Sequence, residues 1–316
     1  MHLFSTKYIS TVLNKSLLIH ADCMDWMRSV PEETFHAVVT DPPYGLKEFN
    51  LDQLEKKSEN KGGIWRIPPS FDGHERSALP RFTALSVKEI EELKTFFTQW
   101  AQLIFRILKP GGHIFVASNS FLSQIVFSAI TNSGLEFRGE LIRLVRTLRG
   151  GDRPKNAEAE FPDVSTMPRG CFEPWGVFRK PLPKKMTVSE CLRVYQTGGL
   201  RRAMNGNPLN DVIQSTRTSK AERLIANHPS LKPQQFLRQI VYAALPLGEG
   251  VILDPFAGSG STIAAAEAVG YQAVGIERHL PYYQMASEAI PKLTTLSIPP
   301  QHVPIQRGFW EEYDVE

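Results

Sequence analysis

Two short segments, far apart in the chain, carry residue types suited to chemistry. Asp41-Pro42-Pro43-Tyr44 closes an apolar run from His36 to Thr40. Consecutive prolines fix φ and remove two backbone donors, so their carbonyls and the Asp41 carboxylate form a rigid set of acceptors beside an aromatic face. That set suits a planar ligand bearing an exocyclic amino group: Asp41 and a proline carbonyl accept its two hydrogens, and Tyr44 stacks on the ring. The alternative is a plain Pro-Pro turn capping a strand. The second segment is Asp254-Pro255-Phe256-Ala257-Gly258-Ser259-Gly260. Its glycines let the backbone approach a ligand closely, and Glu277, about 20 positions on, is placed to grip ribose hydroxyls. The glycine spacing is not that of a pyrophosphate fingerprint, and no Gly-Lys-Ser/Thr follows, so a nucleoside-containing cofactor without a pyrophosphate fits better than a dinucleotide or a P-loop ligand. A tight turn without a ligand is the alternative here.

Both segments need a scaffold that brings strand ends together. Leu17 to His20 and His36 to Thr40 are short apolar runs that read as buried parallel strands. Glu89 to Leu108 is a helix by its apolar spacing, with Phe96, Phe97 and Trp100 as core; the Lys109-Pro110-Gly111-Gly112 turn then feeds a strand from His113 to Ala117. Phe121 to Thr131 reads as helix, Leu135 to Leu144 as strand, and Pro233 to Leu245 as helix. The clearest βαβ unit is strand Gly250 to Leu253, helix Ser261 to Val269 and strand Ala273 to Glu277. Alternation at both ends predicts an α/β fold with a doubly wound parallel sheet, which places ligands at the carboxyl ends of its strands. Leu46 to Ala84 and Arg146 to Asn227 break the pattern, being polar or basic and rich in Gly and Pro, with one apolar island at Trp175 to Phe178; neither is expected in the core.

The whole chain has 316 residues, 42% hydrophobic and 22% charged, enough for a substantial core and too apolar for a disordered chain. No run is long enough for a membrane helix, and residues 1–20 lack the apolar stretch of a signal peptide, so a cytoplasmic protein is expected. Cys23, Cys171 and Cys191 are too few and scattered for a disulfide framework or a zinc site. Net charge is only +3, but from Arg138 to Arg223 there are 17 Lys or Arg against 9 Asp or Glu. This basic middle is the natural place for phosphate contacts, with Arg201-Arg202 and Arg217 to Arg223 as candidates for phosphates or bases; a solvated charged face is the alternative.

In motif and order the chain resembles the β-class amino-methylating DNA methyltransferases. The Asp-Pro-Pro-Tyr motif comes first, a target-recognition region second, and the Phe-x-Gly-x-Gly motif, here Phe256 to Gly260, last. Leu18 to Asp25 resembles the family's N-terminal segment, Lys109 to Ala117 its Lys-x-Gly-Gly strand entry, and His228-Pro229-Ser230-Leu231-Lys232-Pro233 its His-Pro-x-x-Lys-Pro segment. The resemblance implies a Rossmann-like methyltransferase sheet with circularly permuted motif order and an inserted target-recognition region. S-adenosylmethionine would be the cofactor: Asp22, with Cys23 beside it, would approach the adenine, and His228, Lys232 and Pro233 the methionine end. Asp254, Phe256, Ala257, Gly258, Ser259, Gly260 and Glu277 would complete that site, and Asp41, Pro42, Pro43 and Tyr44 would be catalytic.

The same resemblance divides the chain into a catalytic domain at 1–145 and 227–295, a target-recognition region at 146–226 in which 173–179 is a strand of the sheet, a mobile DNA-facing loop at 46–84 and a tail at 296–316. It implies double-stranded DNA as partner, adenine N6 as target with base flipping, a cognate restriction endonuclease as a further partner, and a monomer or homodimer. Cytosine N4 is the nearest rival, because Asp-Pro-Pro-Tyr suits any ring-conjugated amino group. A non-catalytic DNA-binding subunit on the same scaffold is a rival of another class. Cytosine C5 chemistry needs a cysteine beside a proline, and none of the three has that context.

Overall fold

A computed structural model of the chain describes residues 7–43, 70–71, 74–75, 85–149, 154, 156–166, 168, 170–228 and 230–298. Its strands are β1 (Ile9–Val12), β2 (Leu17–His20), β3 (Phe35–Thr40), β4 (Ser70–Phe71), β5 (His74–Glu75), β6 (Leu108–Ala117), β7 (Glu136–Arg149), β8 (Gly170–Arg179), β9 (Val212–Gln214), β10 (Val251–Asp254) and β11 (Gln272–Glu277). Its helices are α1 (Cys23–Ser29), α2 (Val87–Ile107), α3 (Ser123–Thr131), α4 (Val188–Tyr195), α5 (Lys220–Ile225), α6 (Gln234–Ala244), α7 (Ser261–Ala268) and α8 (Leu280–Thr294).

Nine strands form one sheet in the order β1-β2-β11-β10-β3-β6-β8-β7-β9, while β4 and β5 pair only with each other. The five strands from β2 to β6 in this order are parallel. All six residues of β3 are buried, as a strand covered on both faces requires. One face carries α6, α7 and α8 over a core that includes Phe236, Ile240, Ile263, Ala265 and Ile290. The other carries α1, α2 and α3 over Trp26, Phe97, Trp100, Ile104 and Ile130. Helix α2 starts where Ser86 and Glu89 form a reciprocal capping box, and Leu93, Phe97, Trp100, Ile104 and Ile107 recur on its buried side.

Two expectations change. The sheet is not wholly parallel, because β1 runs antiparallel to β2 and β8 runs antiparallel to both β6 and β7. Nor is 146–227 outside the core: β8 lies between β6 and β7, with Trp175 and Phe178 fully buried, and Cys191 and Ile213 are buried too. The strand expected at 173–179 is β8, which extends over Gly170–Arg179; the three-residue β9 and the eight-residue α4 left too little periodic signal beside their polar and glycine-rich flanks. The turn at Lys109 to Gly112 sits inside β6 as a bulge, because Phe35 pairs with Leu108 while Ala37 already pairs with His113. Among the described residues no helix is long and apolar enough to cross a membrane. The 46–84 segment lies outside the described residues apart from 70–71 and 74–75.

Candidate active site

From β3 the chain proceeds through α2 to β6 on one side, and from β10 through α7 to β11 on the other. The point where the winding reverses therefore lies between β3 and β10, where a doubly wound sheet opens a crevice at its carboxyl edge. Asp41 leaves β3 at this place and Asp254 ends β10. The two strand ends are tied directly: Thr40 Oγ1 donates to Asp254 Oδ1 at 2.7 Å, and the Phe256 amide donates to the same oxygen at 3.1 Å. Asp254 is buried, and burial pushes its carboxyl up to about 6 against the pull of these donors. It lies beneath the glycine turn and shapes it.

The turn itself is built around missing side chains. Gly258 has φ +52° and Gly260 φ +78°, a region L residues rarely adopt. A Cβ on Gly258 would sit 3.2 Å from the His228 ring, and one on Gly260 would run into Ile290 of α8. The Gly258 amide donates to Glu277 Oε2 at 2.8 Å, and the His279 amide donates to Oε1 at 2.7 Å. Both oxygens of Glu277, at the end of β11, are thereby oriented, and each keeps lone-pair capacity for a hydroxyl. Ser259 Oγ lies 3.0 Å from Ser261 Oγ at the start of α7, and Ala257 donates its amide to Ile276 O. Phe256 packs on Phe96 and Trp100 of α2, so these core aromatics also support the turn. His228 meets Tyr282 edge-on at 4.5 Å.

Asp22 and Cys23 stand one strand further along. The Ala21 amide donates to Glu277 O at 3.1 Å, joining the ends of β2 and β11. Asp22 caps α1, its Oδ1 accepting from the Met24 and Asp25 amides. Cys23 is buried, and burial together with the Asp22 charge pushes its thiol up to about 12, far from a nucleophile. Pro233 is the N-cap of α6. Tyr44 lies outside the described residues.

The residues at Asp41 differ most from expectation. Lys232 Nζ is 2.9 Å from Asp41 Oδ2 and 3.1 Å from Glu173 Oε2, so this lysine is engaged by carboxylates at the exit of β3. Glu173 Oε1 accepts from Trp175 Nε1 at 2.8 Å, and Arg143 Nη1 lies 3.4 Å from Oε2. Burial opposes ionisation of Glu173, but the adjacent Lys232 and Arg143 charges and its hydrogen bonds outweigh it and hold the carboxyl at about 2. Arg143 also donates from Nε to Ser215 Oγ and from Nη2 to Thr216 O. Glu173 and Arg143 were missed in the sequence. A charged residue at an inward position of an otherwise apolar strand, such as Arg143 between Leu141 and Val145, is the one signal that could have found them.

The basic middle is partly consumed inside the molecule. Arg143 and Lys180 are buried, Arg179 pairs with Glu136 at 2.6 Å, and Lys180 donates to Leu108 O at 2.8 Å. Arg201 lies over the Tyr242 ring, 4.4 Å from its centroid, and donates to Tyr271 Oη at 2.7 Å. Tyr271 precedes β11, and nearby the Gly198 amide donates to Gly111 O at the entry of β6. Arg201 therefore sits at the amino edge of the parallel strands, opposite the crevice at Asp41, with its guanidinium engaged by Tyr242 and Tyr271. Arg202, by contrast, is exposed.

Residues 35–288 match the N6/N4 Mtase family, described as DNA methylase. Type II methyltransferase M2.DpnII of Streptococcus pneumoniae is 24% identical over 277 residues, covering 88% of this chain and 90% of its own length. A candidate DNA modification methylase of Thermus thermophilus, complexed with S-adenosyl-L-methionine, superposes with a TM-score of 0.53 at 18% identity, covering 87% of this chain and 95% of its own. PvuII DNA methyltransferase, cytosine-N4-specific, does so with a TM-score of 0.56 at 13% identity, covering 92% and 89%. At these identities the structural likenesses show a shared fold.

Proposed function

We propose, from the premise that the chain belongs to the N6/N4 DNA methylase family, that it methylates the exocyclic N6 of adenine in duplex DNA, with the target base turned out of the helix toward Asp41. The chain is a DNA methyltransferase, and its family uses S-adenosylmethionine. The residues present fit that cofactor: the turn at Gly258 and Gly260 is kept clear of Cβ atoms, and the Glu277 carboxylate is pre-oriented for ribose hydroxyls. In this reading Gly258, Ser259, Gly260 and Glu277 hold the nucleoside part, Asp22 approaches the adenine, and His228 and Pro233 flank the methionine end. When bound, the cofactor supplies an electrophilic methyl on a sulfonium.

The protein's own task is to make a poor nucleophile competent. The amino lone pair of adenine is delocalised into the ring. Hydrogen bonds from the amino group to the Asp41 carboxylate and the Pro42 carbonyl favour the pyramidal nitrogen of the transition state, where positive charge develops. Tyr44 stacks on the base, and in-line transfer needs no covalent enzyme intermediate. The observation that carries the adenine reading is the aspartate opening the Pro-Pro turn at the end of β3, since the resembling family uses aspartate chiefly for adenine and serine chiefly for cytosine N4.

The test is to incubate purified protein with unmethylated bacterial genomic DNA and labelled S-adenosylmethionine, then separate the nucleosides by mass. N6-methyladenine is expected, with Asp41→Ala losing transfer and keeping cofactor binding. N4-methylcytosine would overturn the base assignment within the same enzyme class. Cofactor and DNA binding without any methylated product would favour a non-catalytic subunit.

A further inference from the structure

Asp41 does not stand alone at the crevice. It ends a row of four side chains of alternating charge, Asp41, Lys232, Glu173 and Arg143, drawn from the β3 exit, the entry to α6, β8 and β7. Their side chains are 15%, 10%, 17% and 8% exposed respectively, so each charge depends on its neighbours for compensation. The row is anchored at its far end. Glu173 is fixed by the indole N–H of Trp175, which is fully buried against Phe236 at 5.2 Å. Arg143 lies over the same Phe236 ring at 5.5 Å and is held by Ser215 and Thr216. Near the site, Pro233 restrains the backbone beside Lys232, and Leu231 O accepts from Thr218 Oγ1 at 2.8 Å.

We propose that Lys232, braced by Glu173 and Arg143, is a positioning residue for methyl transfer: its ammonium fixes the orientation of the Asp41 carboxylate toward the amino group of the target base. This rests on the reading of Asp41 as the catalytic acceptor, and it moves Lys232 from the cofactor to the base side of the crevice. The physical need is plain. A carboxylate must accept a hydrogen bond along one direction as the nitrogen pyramidalises, and a misplacement of about 1 Å can cost on the order of 100-fold in rate. The prolines after Asp41 fix the backbone, but the carboxylate itself can still turn about its side-chain bonds. A lysine gripped at 3.1 Å by a rigid carboxylate and reaching Asp41 at 2.9 Å supplies the restraint. The row also connects Asp41 to Ser215 and Thr216, next to β9, so the order of that segment bears on the catalytic carboxylate.

The experiment compares Lys232→Met, Lys232→Arg, Glu173→Gln and Asp41→Ala in two assays. One is S-adenosylmethionine affinity by calorimetry, and the other is the single-turnover methylation rate on unmethylated genomic DNA at saturating cofactor. For Lys232→Met the rate should fall about 100-fold with cofactor affinity within about threefold of wild type, the pattern of an interaction that matters in the transition state. Lys232→Arg, which keeps the charge and can span both carboxylates, should restore at least about a tenth of the rate. Glu173→Gln keeps the shape and an acceptor for Trp175 but loses the brace, and should cost about 10-fold in the same way. Weaker cofactor binding with a normal rate at saturation would return Lys232 to the methionine carboxylate and overturn the proposal. If Lys232→Met does not fold, a normal rate in Glu173→Gln overturns it alone. An inactive Asp41→Ala beside normal rates in Lys232→Met and Glu173→Gln overturns only the positioning role, whereas an active Asp41→Ala overturns the catalytic reading and this one with it.

Discussion

Replacing Asp254 by asparagine should make the protein more stable at alkaline pH and leave it unchanged in strong acid. The carboxylate is buried between the ends of β3 and β10, with Thr40 Oγ1 at 2.7 Å and the Phe256 amide at 3.1 Å as donors. Burial lifts its pKa to about 6, against an ordinary value of 3.8. A folded-state pKa above the unfolded one means that the native state holds the proton more tightly, so this stabilisation is complete below pH 4 and is lost as pH rises through 6. A shift of about two units corresponds to about 3 kcal/mol at 1.36 kcal/mol per unit. Asparagine is neutral at every pH, and its Oδ1 can accept from both Thr40 and Phe256 while its amide faces Thr262. Guanidinium unfolding followed by tryptophan fluorescence at pH 4.5 and pH 8 should therefore show Asp254→Asn gaining up to about 3 kcal/mol over wild type at pH 8 and only about 1 kcal/mol at pH 4.5. Equal pH dependence in the two proteins, or a less stable variant at pH 8, would mean that the three donors keep the buried carboxylate ionised and that desolvation is not the winning effect.

Gly258→Val should weaken S-adenosylmethionine binding by about 10-fold or more, since φ +52° strains any L residue by about 1–3 kcal/mol and the new Cβ meets the His228 ring at 3.2 Å; unchanged affinity by calorimetry would remove this turn from the cofactor site. Arg201→Ala should lower stability by about 1 kcal/mol through its lost stacking on Tyr242. The salt dependence of DNA binding should not change, and a shallower salt slope at wild-type stability would put Arg201 back on the DNA surface. Trp175→Phe should cost about 1–3 kcal/mol in chemical unfolding, because it leaves Glu173 Oε1 without its 2.8 Å donor in a buried site; a neutral result would mean that water or another donor takes the place of the indole.

Local patterns in the sequence mark the main strands and helices of the parallel half and the edge at which its strands end. Six successive buried positions in β3, the helical spacing from Leu93 to Ile107 and the strand-turn-helix around Gly258 are local patterns, and a local pattern is enough to say which face of an element leaves water. Strand ends followed by Asp41, Asp254 and Glu277 then had to share one side of the sheet, because parallel strands align their carboxyl ends. Tertiary structure decided which charges meet. Lys232 and Asp41 are 191 positions apart, and Lys232 and Glu173 are 59. Nothing in their neighbourhoods announces a partner, since pairing depends on the strand order that places β8 beside β6 and on the point where α6 begins. The same holds for the arginines. Composition counts Arg143, Arg179 and Arg201 as equal units of positive charge, but burial commits the first two to carboxylates, and the sheet puts Arg201 at the edge away from the crevice. Burial likewise separated two acids that look alike in sequence: Asp254 is closed off by its neighbours' donors, while Asp41, one strand away, is met by the ammonium of Lys232 because desolvation and distance, which no linear pattern encodes, set what a carboxylate can do.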